Sequence, residues 1–208
     1  LLATERVQAI VGFHNIPGYP LGQPLLRQGV FACASQGLLL RLRGKQAHAA
    51  YPEEGCNPIP LLAGLLGALP DLCRQVAPKG LLLYTPVGFQ AGGCNFGVSP
   101  GAGSLALTLR ADRQQDIAAL VQAMAAWLTA RLPQGMSRSL EDRDVFPDTT
   151  NHAPLVDAGA AILKQAGLSP RFLDAPMRWS EDFGHFLRAF PGFYLGLGAG
   201  ESQPGLHT

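Results

Sequence analysis

Charged residues are scarce in this chain of 208 residues, at 15% of the sequence, whereas hydrophobic residues make up 47%. This composition excludes a disordered chain, and the length suffices for one large or two small domains with their own cores. The formal net charge is only +1, and no cluster of Lys and Arg is interleaved with aromatic residues. We therefore expect neither nucleic acid nor an anionic membrane to be the partner.

Long hydrophobic runs are also missing. Apolar runs such as Leu38–Leu40 and Leu81–Tyr84 are far too short to cross a bilayer. The four cysteines show neither CxxC spacing nor a paired histidine, which argues against a disulfide framework or a cysteine zinc site. Because no signal-peptide pattern is visible and the cysteines indicate a reducing compartment, we predict a cytoplasmic protein.

Three common signatures of functional sites are not found in the chain. Gly92-Gly93 and Gly101-Ala102-Gly103 lack the spacing and the lysine of a phosphate-binding loop. There is no GxSxG nucleophile elbow and no local pairing of cysteine with histidine. The remaining candidates for a catalytic or binding role are therefore the five histidines and the polar residues of the loops.

The most informative segment runs from Gly44 to Ile59 and places His48 between small residues. A turn rich in Pro and Gly follows, and then Asn57-Pro58 predicts a helix N-cap with proline at the first helical position. Small neighbours allow a ligand to approach the imidazole closely, and histidine can donate a hydrogen bond to developing charge near neutral pH. On spacing alone, a satisfied surface histidine is the simpler interpretation.

Hydrophobic periodicity predicts the central elements of the chain. Strands are predicted over Gly37–Leu42, Leu81–Gln90 and Ser104–Arg110, and helices from Asn57 towards Val76 and over Asp112–Leu132. The segment Cys94–Val98 is expected to be extended after a Gly-Gly turn. The order β-α-β-β-α predicts one sheet with two helices packed on one face.

The flanking segments predict a second set of elements. Val7–Phe13 is typical of a short strand, and the polar segment Gln134–Thr150, which contains proline, indicates a domain boundary. Further predictions are a helix over Pro154–Gly167 capped by Asn151, a helix over Glu181–Ala189 capped by Ser180, and a strand over Phe193–Leu197.

Four further residues are candidates for a functional site. His14 and His207 both follow a strand in Gly/Pro-rich loops, and a neutral imidazole nitrogen from each would suit zinc. Asn95 follows a Gly-Gly turn and could bind a substrate carbonyl or carboxylate, or simply stabilise its own turn. Arg110 ends a strand and could bind a carboxylate bidentately, with a surface salt bridge as the simpler alternative.

Several segments together resemble a known family. Gly12–Gly22 is similar to "G-x-H-x-x-P-x-x-P-x-G", and Gly44–Ile59 to "G-K-x-x-H-A-A-x-P-x-x-G-x-N-P-I", of the zinc-dependent aminoacylase and hippurate hydrolase branch of metallopeptidase family twenty. Further similarities follow in the family's order: Gly92–Pro100 to "G-G-x-x-N-V-I-P", Phe146–Asn151 to "Y-P-x-T-x-N", Ser180–Phe183 to "S-E-D-F", and Pro191–His207 to "P-G-x-x-x-x-L-G-x-G … L-H". The resemblance covers nearly the whole chain.

The resemblance implies an α/β fold with an α+β lid. A ferredoxin-like β-α-β-β-α lid over residues 33–140 would be inserted into a zinc-peptidase-like α/β catalytic domain, represented by residues 1–32 and 141–208. His14 and His207 would be metal ligands, with two zinc ions in each complete subunit, or manganese or cobalt instead. His48 would stabilise the oxyanion in a neighbouring subunit's active site, where Asn95 would help to bind substrate; Arg110 remains a candidate for the substrate carboxylate.

The implied reaction is metal-assisted hydrolysis of an N-acyl amino acid, a peptide or a related amide. A homodimer through the lid is expected, since an exposed edge strand would allow sheet extension across a two-fold axis. The family's first ligand cluster and tandem glutamates precede the equivalent of His14, so we expect this chain to be part of such an enzyme and inactive alone. A non-catalytic dimerisation or binding module that retains the lid fold is the alternative.

Overall fold

A computed structural model describes residues 7–76 and 80–205 of the chain, which divide into two compact units. The described residues up to Ala34 and from Phe146 onwards form the first unit, and Ser35–Val145 form the second, which we call the lid unit. The lid boundaries expected from the sequence, residues 33 and 140, lie a few residues before the observed ones, residues 35 and 145. The larger difference is at the second junction, because a strand of the lid unit occupies part of the expected boundary segment.

The described residues form twelve strands, four α-helices and a 3₁₀ turn at Pro52–Glu54. The strands are β1 (Ile10–Ile16), β2 (Pro24–Leu26), β3 (Gly29–Ala32), β4 (Ala34–Arg43), β5 (Ala47–His48), β6 (Leu82–Ala91), β7 (Val98–Ser99), β8 (Ala102–Ala111), β9 (Ser137–Phe146), β10 (Thr149–Asn151), β11 (Arg171–Phe172) and β12 (Gly192–Gly198). The helices are α1 (Ile59–Val76), α2 (Gln114–Thr129), α3 (Ala153–Gln165) and α4 (Phe183–Ala189).

The main sheet of the lid unit has the strand order β6-β8-β4-β9. With α1 after β4 and α2 after β8, the chain order is β-α-β-β-α-β, and this strand order is the ferredoxin-like arrangement. The five elements predicted from periodicity are present, but the prediction missed β9. This strand lies at the edge of the sheet and leaves most of its side chains exposed, so it carries little apolar alternation.

The core of the lid unit lies between this sheet and its two helices. Alternate leucines of β4 and β8 are buried: Leu38, Leu40, Leu42, Leu105, Leu107 and Leu109. The helices contribute further buried side chains, among them Leu62, Leu65 and Leu69 of α1 and Ile117, Leu120 and Met124 of α2. Burial of each such side chain contributes about 1.5–3 kcal/mol. The amphipathic spacing of the leucines therefore fixes the face on which the helices pack.

Helix α1 is long and apolar enough, by length and composition, to cross a membrane, and it is the one described helix with this property. The expectation from the sequence rested on uninterrupted apolar runs, which are too short to cross a membrane, and so it did not include this helix. Helices that pack in the core of a globular domain pass the same test, and α1 buries five leucines against its own domain.

The first unit is built on a mixed sheet with the order β1-β12-β2-β11. β1 runs parallel to β12, which is antiparallel to β2, and β2 is parallel to β11. β10 and β3 form a separate antiparallel pair. Helix α3 packs on the sheet so closely at Gly159 that an added Cβ would lie 2.6 Å from Cζ of Phe193. A side chain there would require the Phe193 ring to shift, so glycine lets α3 lie close to β12.

Candidate functional site

His48 is held at the surface of the lid unit by a short backbone clamp. β5, which contains His48, is antiparallel to β7, with His48 opposite Val98. Lys45 and Cys56 exchange backbone hydrogen bonds of 3.2 and 2.7 Å, which close the loop that follows His48. The turn signals of this segment thus produce a loop that is tied at both ends, with an exposed imidazole on it.

The glycines of this clamp are required by close backbone approach. A Cβ at Gly44 would lie 2.0 Å from the carbonyl oxygen of Cys56, and one at Gly101 would lie 2.6 Å from the amide nitrogen of Gln46. The N–H of Gly44 also donates to the carbonyl of Gly101 at 2.8 Å. Any side chain at these positions would push the clamp apart and move His48.

The tautomer of neutral His48 follows from one hydrogen bond. The backbone N–H of Ala50 donates to Nδ1 of His48 at 3.0 Å. Since Nδ1 accepts, the ring proton of the neutral imidazole must lie on Nε2. The ring also contacts Tyr51, with centroids 5.9 Å apart. His48 therefore presents an N–H donor to solvent, as a group that stabilises an oxyanion requires.

Asn95 lies three residues before Val98, which pairs with His48, and its exposed side chain is bonded within its own turn. Its Oδ1 accepts a hydrogen bond of 3.1 Å from the N–H of Gly97, and the carbonyl of Gly97 accepts one of 2.9 Å from the N–H of Ala49. The expectation of an extended segment over Cys94–Val98 was wrong, because this Asn side chain closes a turn at Phe96 and Gly97. The turn-stabilising interpretation of Asn95 thus describes its contact in this structure.

Asn95 also lines a pocket of about 300 Å³ together with Gln46, Gly92 and Gly93. The structure therefore brings two of the sequence-derived candidates, His48 and Asn95, onto adjacent backbone segments at one end of the lid sheet. Rotation of the Asn95 side chain out of its turn would be needed before its amide could bind a ligand in this pocket.

Arg110 is not part of this cluster. It lies on β8 opposite Leu83 of β6, half-buried on the sheet face opposite the helices, and it already has an interaction partner. Ala102 follows Gly101, which contacts the backbone beside His48, and lies at the other end of β8. It is eight residues from Arg110, which is roughly 25 Å along an extended strand. Within one lid unit, Arg110 and His48 therefore cannot contact the same small ligand.

His14 lies on β1 in the first unit and has the opposite tautomer from His48. Its Nδ1 is 2.6 Å from the carbonyl oxygen of Asn15. A carbonyl can only accept, so Nδ1 carries the proton and Nε2 of the neutral ring keeps its lone pair. The ring packs on Trp179, with centroids 5.6 Å apart. His14 thus has the tautomer of a histidine that binds a metal through Nε2.

An aromatic cluster supports this region and was not found by sequence reasoning. Trp179 contacts Phe31, Phe31 contacts Tyr194, and Tyr194 contacts Phe183, with centroid distances of 6.3, 5.6 and 5.0 Å. The "S-E-D-F" segment marked part of this cluster in the sequence, but the motif does not reveal which aromatic residues its side chains contact. The partners come from three segments of the chain, at Phe31, at Trp179 to Phe183 and at Tyr194, which meet in the folded unit.

Glu181 of this segment binds Tyr194 and does not start a helix. The Tyr194 hydroxyl donates to Oε2 of Glu181 at 2.5 Å. Burial, and next the bonded carboxylate, raise the pKa of Tyr194. The predicted cap at Ser180 was wrong: α4 begins at Phe183, after Asp182, since the Glu181 side chain turns towards β12 instead.

Asn151 positions Tyr194 from the other side. Its amide donates to the carbonyls of Arg27 and Tyr194 at 2.9 and 2.8 Å, and its Oδ1 accepts the Tyr194 N–H at 2.7 Å. The side chain is only 4% exposed. Asn151 was predicted to cap α3, but the residue at the N-cap is His152, because the Asn151 side chain is used to join β10 to β12.

The described residues do not complete the metal site that the resemblance implies. Across residues 7–76 and 80–205, no three His, Cys, Asp or Glu side chains form a group that could hold a metal ion. His14 offers one ligand nitrogen, and His207 lies outside the described residues. A zinc site needs at least three protein ligands, so these residues do not fit the pair of metals by themselves. No reaction step through a metal follows from them.

Residues 34–136 match the family model of the M20 peptidase dimerisation domain, which corresponds to the lid unit. The sequence is 26% identical to the IAA-amino acid hydrolase ILR1-like 4 of Arabidopsis thaliana, over 93% of this chain and 46% of that protein. It is also 26% identical to N-acetyldiaminopimelate deacetylase of Exiguobacterium sibiricum, over 100% of this chain and 56% of that protein. The chain belongs to the M20 peptidase family, and it spans about half the length of the curated relatives it matches.

Solved structures share this fold. A protein of methicillin-resistant Staphylococcus aureus matches 97% of this chain with 53% of its own, at a TM-score of 0.85 and 20% identity. A dinuclear metal-binding peptidase of the M20 family from Bacillus subtilis matches 97% of this chain with 51% of its own, at a TM-score of 0.75 and 19% identity. The family resemblance read from the sequence motifs is therefore confirmed.

Proposed function

We propose that this chain supplies the lid and part of the catalytic domain of a cytoplasmic amidohydrolase that removes acyl groups from N-acyl amino acids or related amides. The complete enzyme would be a homodimer, in which His48 of one subunit donates its Nε2–H to the oxyanion formed in the other. Zinc is the expected metal, with manganese or cobalt as alternatives, and His14 and His207 are the candidate ligands in this chain.

The observation that carries this proposal is the hydrogen bond from Ala50 to Nδ1 of His48. It fixes the proton on Nε2, and the exposed position of the ring lets that proton reach a partner molecule. Removal of one oxyanion donor from an enzyme of this kind lowers kcat by about 10²–10³-fold.

The names of the relatives support the substrate class. The matched plant protein is a hydrolase of IAA–amino acid conjugates, and the matched bacterial proteins are deacetylases of N-acetyldiaminopimelate. Each of these names describes an amino acid whose nitrogen is freed from an acyl group. The four cysteines form no disulfide among the residues that the structure describes, which is compatible with a reducing compartment and supports the cytoplasmic assignment.

The test uses a fusion of this chain with the part of the Exiguobacterium deacetylase that does not align with this chain. The assay measures release of free amine from N-acetyl amino acids with added Zn²⁺ or Mn²⁺. We expect turnover by the joined protein and none by this chain alone. His48→Ala should lower kcat by about 100-fold or more, and His48→Gln, which restores a donor, should recover part of the loss.

A separate experiment tests whether His48 acts on the active site of the partner subunit. Mixed dimers of a His48→Ala subunit and a His14→Ala subunit contain one active site with intact ligands that faces an intact His48. Activity restored by mixing the two inactive variants supports donation by the partner subunit. If mixing restores nothing although mixed dimers form, His48 does not act in the neighbouring site.

A non-catalytic dimerisation module is the second candidate, favoured by the match of the lid unit to a dimerisation domain. It predicts that the joined protein dimerises but neither binds metal nor hydrolyses any N-acyl amino acid. About two metal ions bound to each joined subunit would exclude it.

A further inference from the structure

The face of the lid sheet that is opposite its helices carries a depression of about 500 Å³, which we call the basin and which the proposed chemistry does not use. Arg41 and Arg43 line it from β4, and since they alternate with leucines buried under the helices, both lie on this outer face. Gln90 of β6 and Ser104 of β8, which are cross-strand partners, also line it. Three adjacent strands thus place four polar side chains around one depression.

The floor of the basin is made of small residues. Two of them, Gly92 and Gly101, belong to the Gly-rich segments that lack the spacing and the lysine of a phosphate-binding loop; the others are Ala91, Ala102 and Gly103. Because no side chain on the floor is longer than a methyl group, the longer polar side chains stand above it as a rim. The volume falls within the range of about 300–1,000 Å³ that is typical of small-molecule sites, so the basin has room for more than a single ion.

The rim of the basin is positively charged. Glu141 on β9 accepts a hydrogen bond of 2.6 Å from Arg41 and also pairs with Arg143, so two guanidiniums share one carboxylate. Arg43 forms no ion pair within residues 7–76 and 80–205, and no acidic residue is among those that line the basin. Three guanidiniums and one carboxylate therefore leave an excess of two positive charges at this place.

We propose that the basin is a binding site for a small organic phosphate monoester. Such a group carries a charge of about −1.5 to −2 at pH 7, which balances the excess at the rim. A guanidinium binds phosphate oxygens through two parallel N–H donors, and Arg43, which has no acidic partner, supplies them. The hydroxyl of Ser104 and the amide of Gln90 donate to the remaining oxygens, and the flat floor accommodates the organic group.

This site is separate from the candidate residues of the proposed hydrolysis. Arg110, the candidate for a substrate carboxylate, is six residues from Ser104 along β8, which is roughly 20 Å on an extended strand. One small molecule cannot contact both ends of β8, so binding in the basin can be measured whether or not the chain takes part in hydrolysis.

The test titrates the full chain with phenyl phosphate at low ionic strength and follows binding by isothermal titration calorimetry. We expect one site with a Kd below about 1 mM. Arg43→Gln should raise this Kd by about tenfold or more, because a charged bidentate contact is lost. Arg74→Gln is the matched control and should leave the Kd unchanged: it removes the same charge from α1, where the side chain is 73% exposed and pairs with Asp71.

A second variant and two further ligands test the floor and the ligand class. Ala102→Leu fills the floor, so it should weaken phenyl phosphate by about tenfold and inorganic phosphate by less than about twofold, whereas Arg43→Gln should weaken both. Benzoate carries a single charge on a similar ring and should bind about tenfold more weakly than phenyl phosphate. Equally tight binding of benzoate would overturn the phosphate monoester as the ligand.

Amide shifts in ¹H–¹⁵N spectra locate the bound ligand. Phenyl phosphate should move the resonances of Gly92 and Gly101 and leave that of Arg110 in place. Absence of saturable binding overturns the proposal, as do shifts centred away from the basin and equal Kd values for Arg43→Gln and Arg74→Gln. Circular dichroism of each variant shows that a change in Kd does not come from unfolding.

Discussion

The backbone N–H of Ala50 lies 3.0 Å from Nδ1 of His48 and donates a hydrogen bond to it. In the other unit, Nδ1 of His14 faces the carbonyl oxygen of Asn15. The two histidines therefore use their Nδ1 atoms in opposite ways: in the neutral rings, Nε2 of His48 carries a proton, whereas Nε2 of His14 keeps its lone pair.

The first prediction concerns these tautomers. In ¹⁵N-labelled protein above the titration range of both rings, long-range ¹H–¹⁵N spectra should show the proton on Nε2 in His48 and on Nδ1 in His14. His14 serves as the internal control, since both rings are observed in one sample. A proton on Nδ1 of His48 would contradict the donor role proposed for it.

The second prediction compares two glycines of the lid unit. Gly44→Ala places a Cβ 2.0 Å from the carbonyl oxygen of Cys56, so the clamp must shift, and we expect a loss of about 1–3 kcal/mol in unfolding free energy. Gly67→Ala lies within α1 with nothing within 4 Å of the new Cβ, and it should stabilise the protein by about 0.5–1 kcal/mol.

Urea unfolding followed by far-UV circular dichroism measures both variants. The His48 ring resonances should move in Gly44→Ala and stay in place in Gly67→Ala. Unchanged His48 resonances and unchanged stability in Gly44→Ala would show that the clamp does not depend on the absence of a side chain.

The third prediction is a dependence of stability on alkaline pH. Burial and the Glu181 carboxylate raise the pKa of Tyr194 in the folded protein above the ordinary tyrosine value of about 10. The unfolded chain then releases the proton more readily, so this contribution to stability is complete below pH 10 and is lost as the pH rises above it. Tyr194→Phe should weaken this dependence and cost about 1.5 kcal/mol at pH 7 through the lost hydrogen bond.

Urea midpoints measured at pH 7 and at several values above pH 9 check this expectation. Tyr84→Phe removes the hydroxyl of a half-buried tyrosine in the lid unit and is the control. The prediction fails if Tyr194→Phe and the wild type lose stability in parallel throughout the alkaline range.

The fourth prediction concerns the two edges of the lid sheet. β6 exposes Val87 and Phe89, which are 61% and 43% exposed, whereas the opposite edge strand, β9, carries charged side chains at most outward positions. If two lid sheets join edge to edge through apolar contacts, β6 is therefore the strand expected at the interface. Val87→Lys should convert the proposed homodimer to monomer at low micromolar concentration.

Val145→Lys, on β9 and 42% exposed, makes the same change at the other edge and should leave the dimer intact. Sedimentation velocity separates the two forms. Dissociation by Val145→Lys but not by Val87→Lys would place the interface on β9 instead.

Motif spacing identified the family because its glycines and prolines mark backbone positions that tolerate few other residues. Gly44 and the Asn57-Pro58 helix start are examples: the first permits contact with Cys56, and the Asn57 side chain accepts the N–H of Ile59. Regular elements such as β4 and α1 were also predicted, because their leucines repeat with the period of a strand or a helix. β9 lacks such a repeat and was missed.

Contacts between distant segments could not be predicted in this way. The pairing of Glu181 with Tyr194 and the burial of the Asn151 amide depend on where β12 lies relative to β10. Both residues had been given local roles, as part of a helix and as a helix cap, because only neighbours in sequence were visible. Asn95 shows the reverse case, since its structural contact is the local turn.

The sequence by itself determined the family, the order of the lid elements and the identity of the candidate residues, because these depend on local spacing and backbone restriction. The tertiary structure decided which proton each histidine carries, which predicted site residues meet, and which strand edges and apolar surfaces remain exposed. Those properties arise from hydrogen-bond partners and packing neighbours that are far apart in the chain. His48 and His14 look alike as sequence, and only their backbone partners in the folded protein leave the neutral ring proton on Nε2 in one and on Nδ1 in the other.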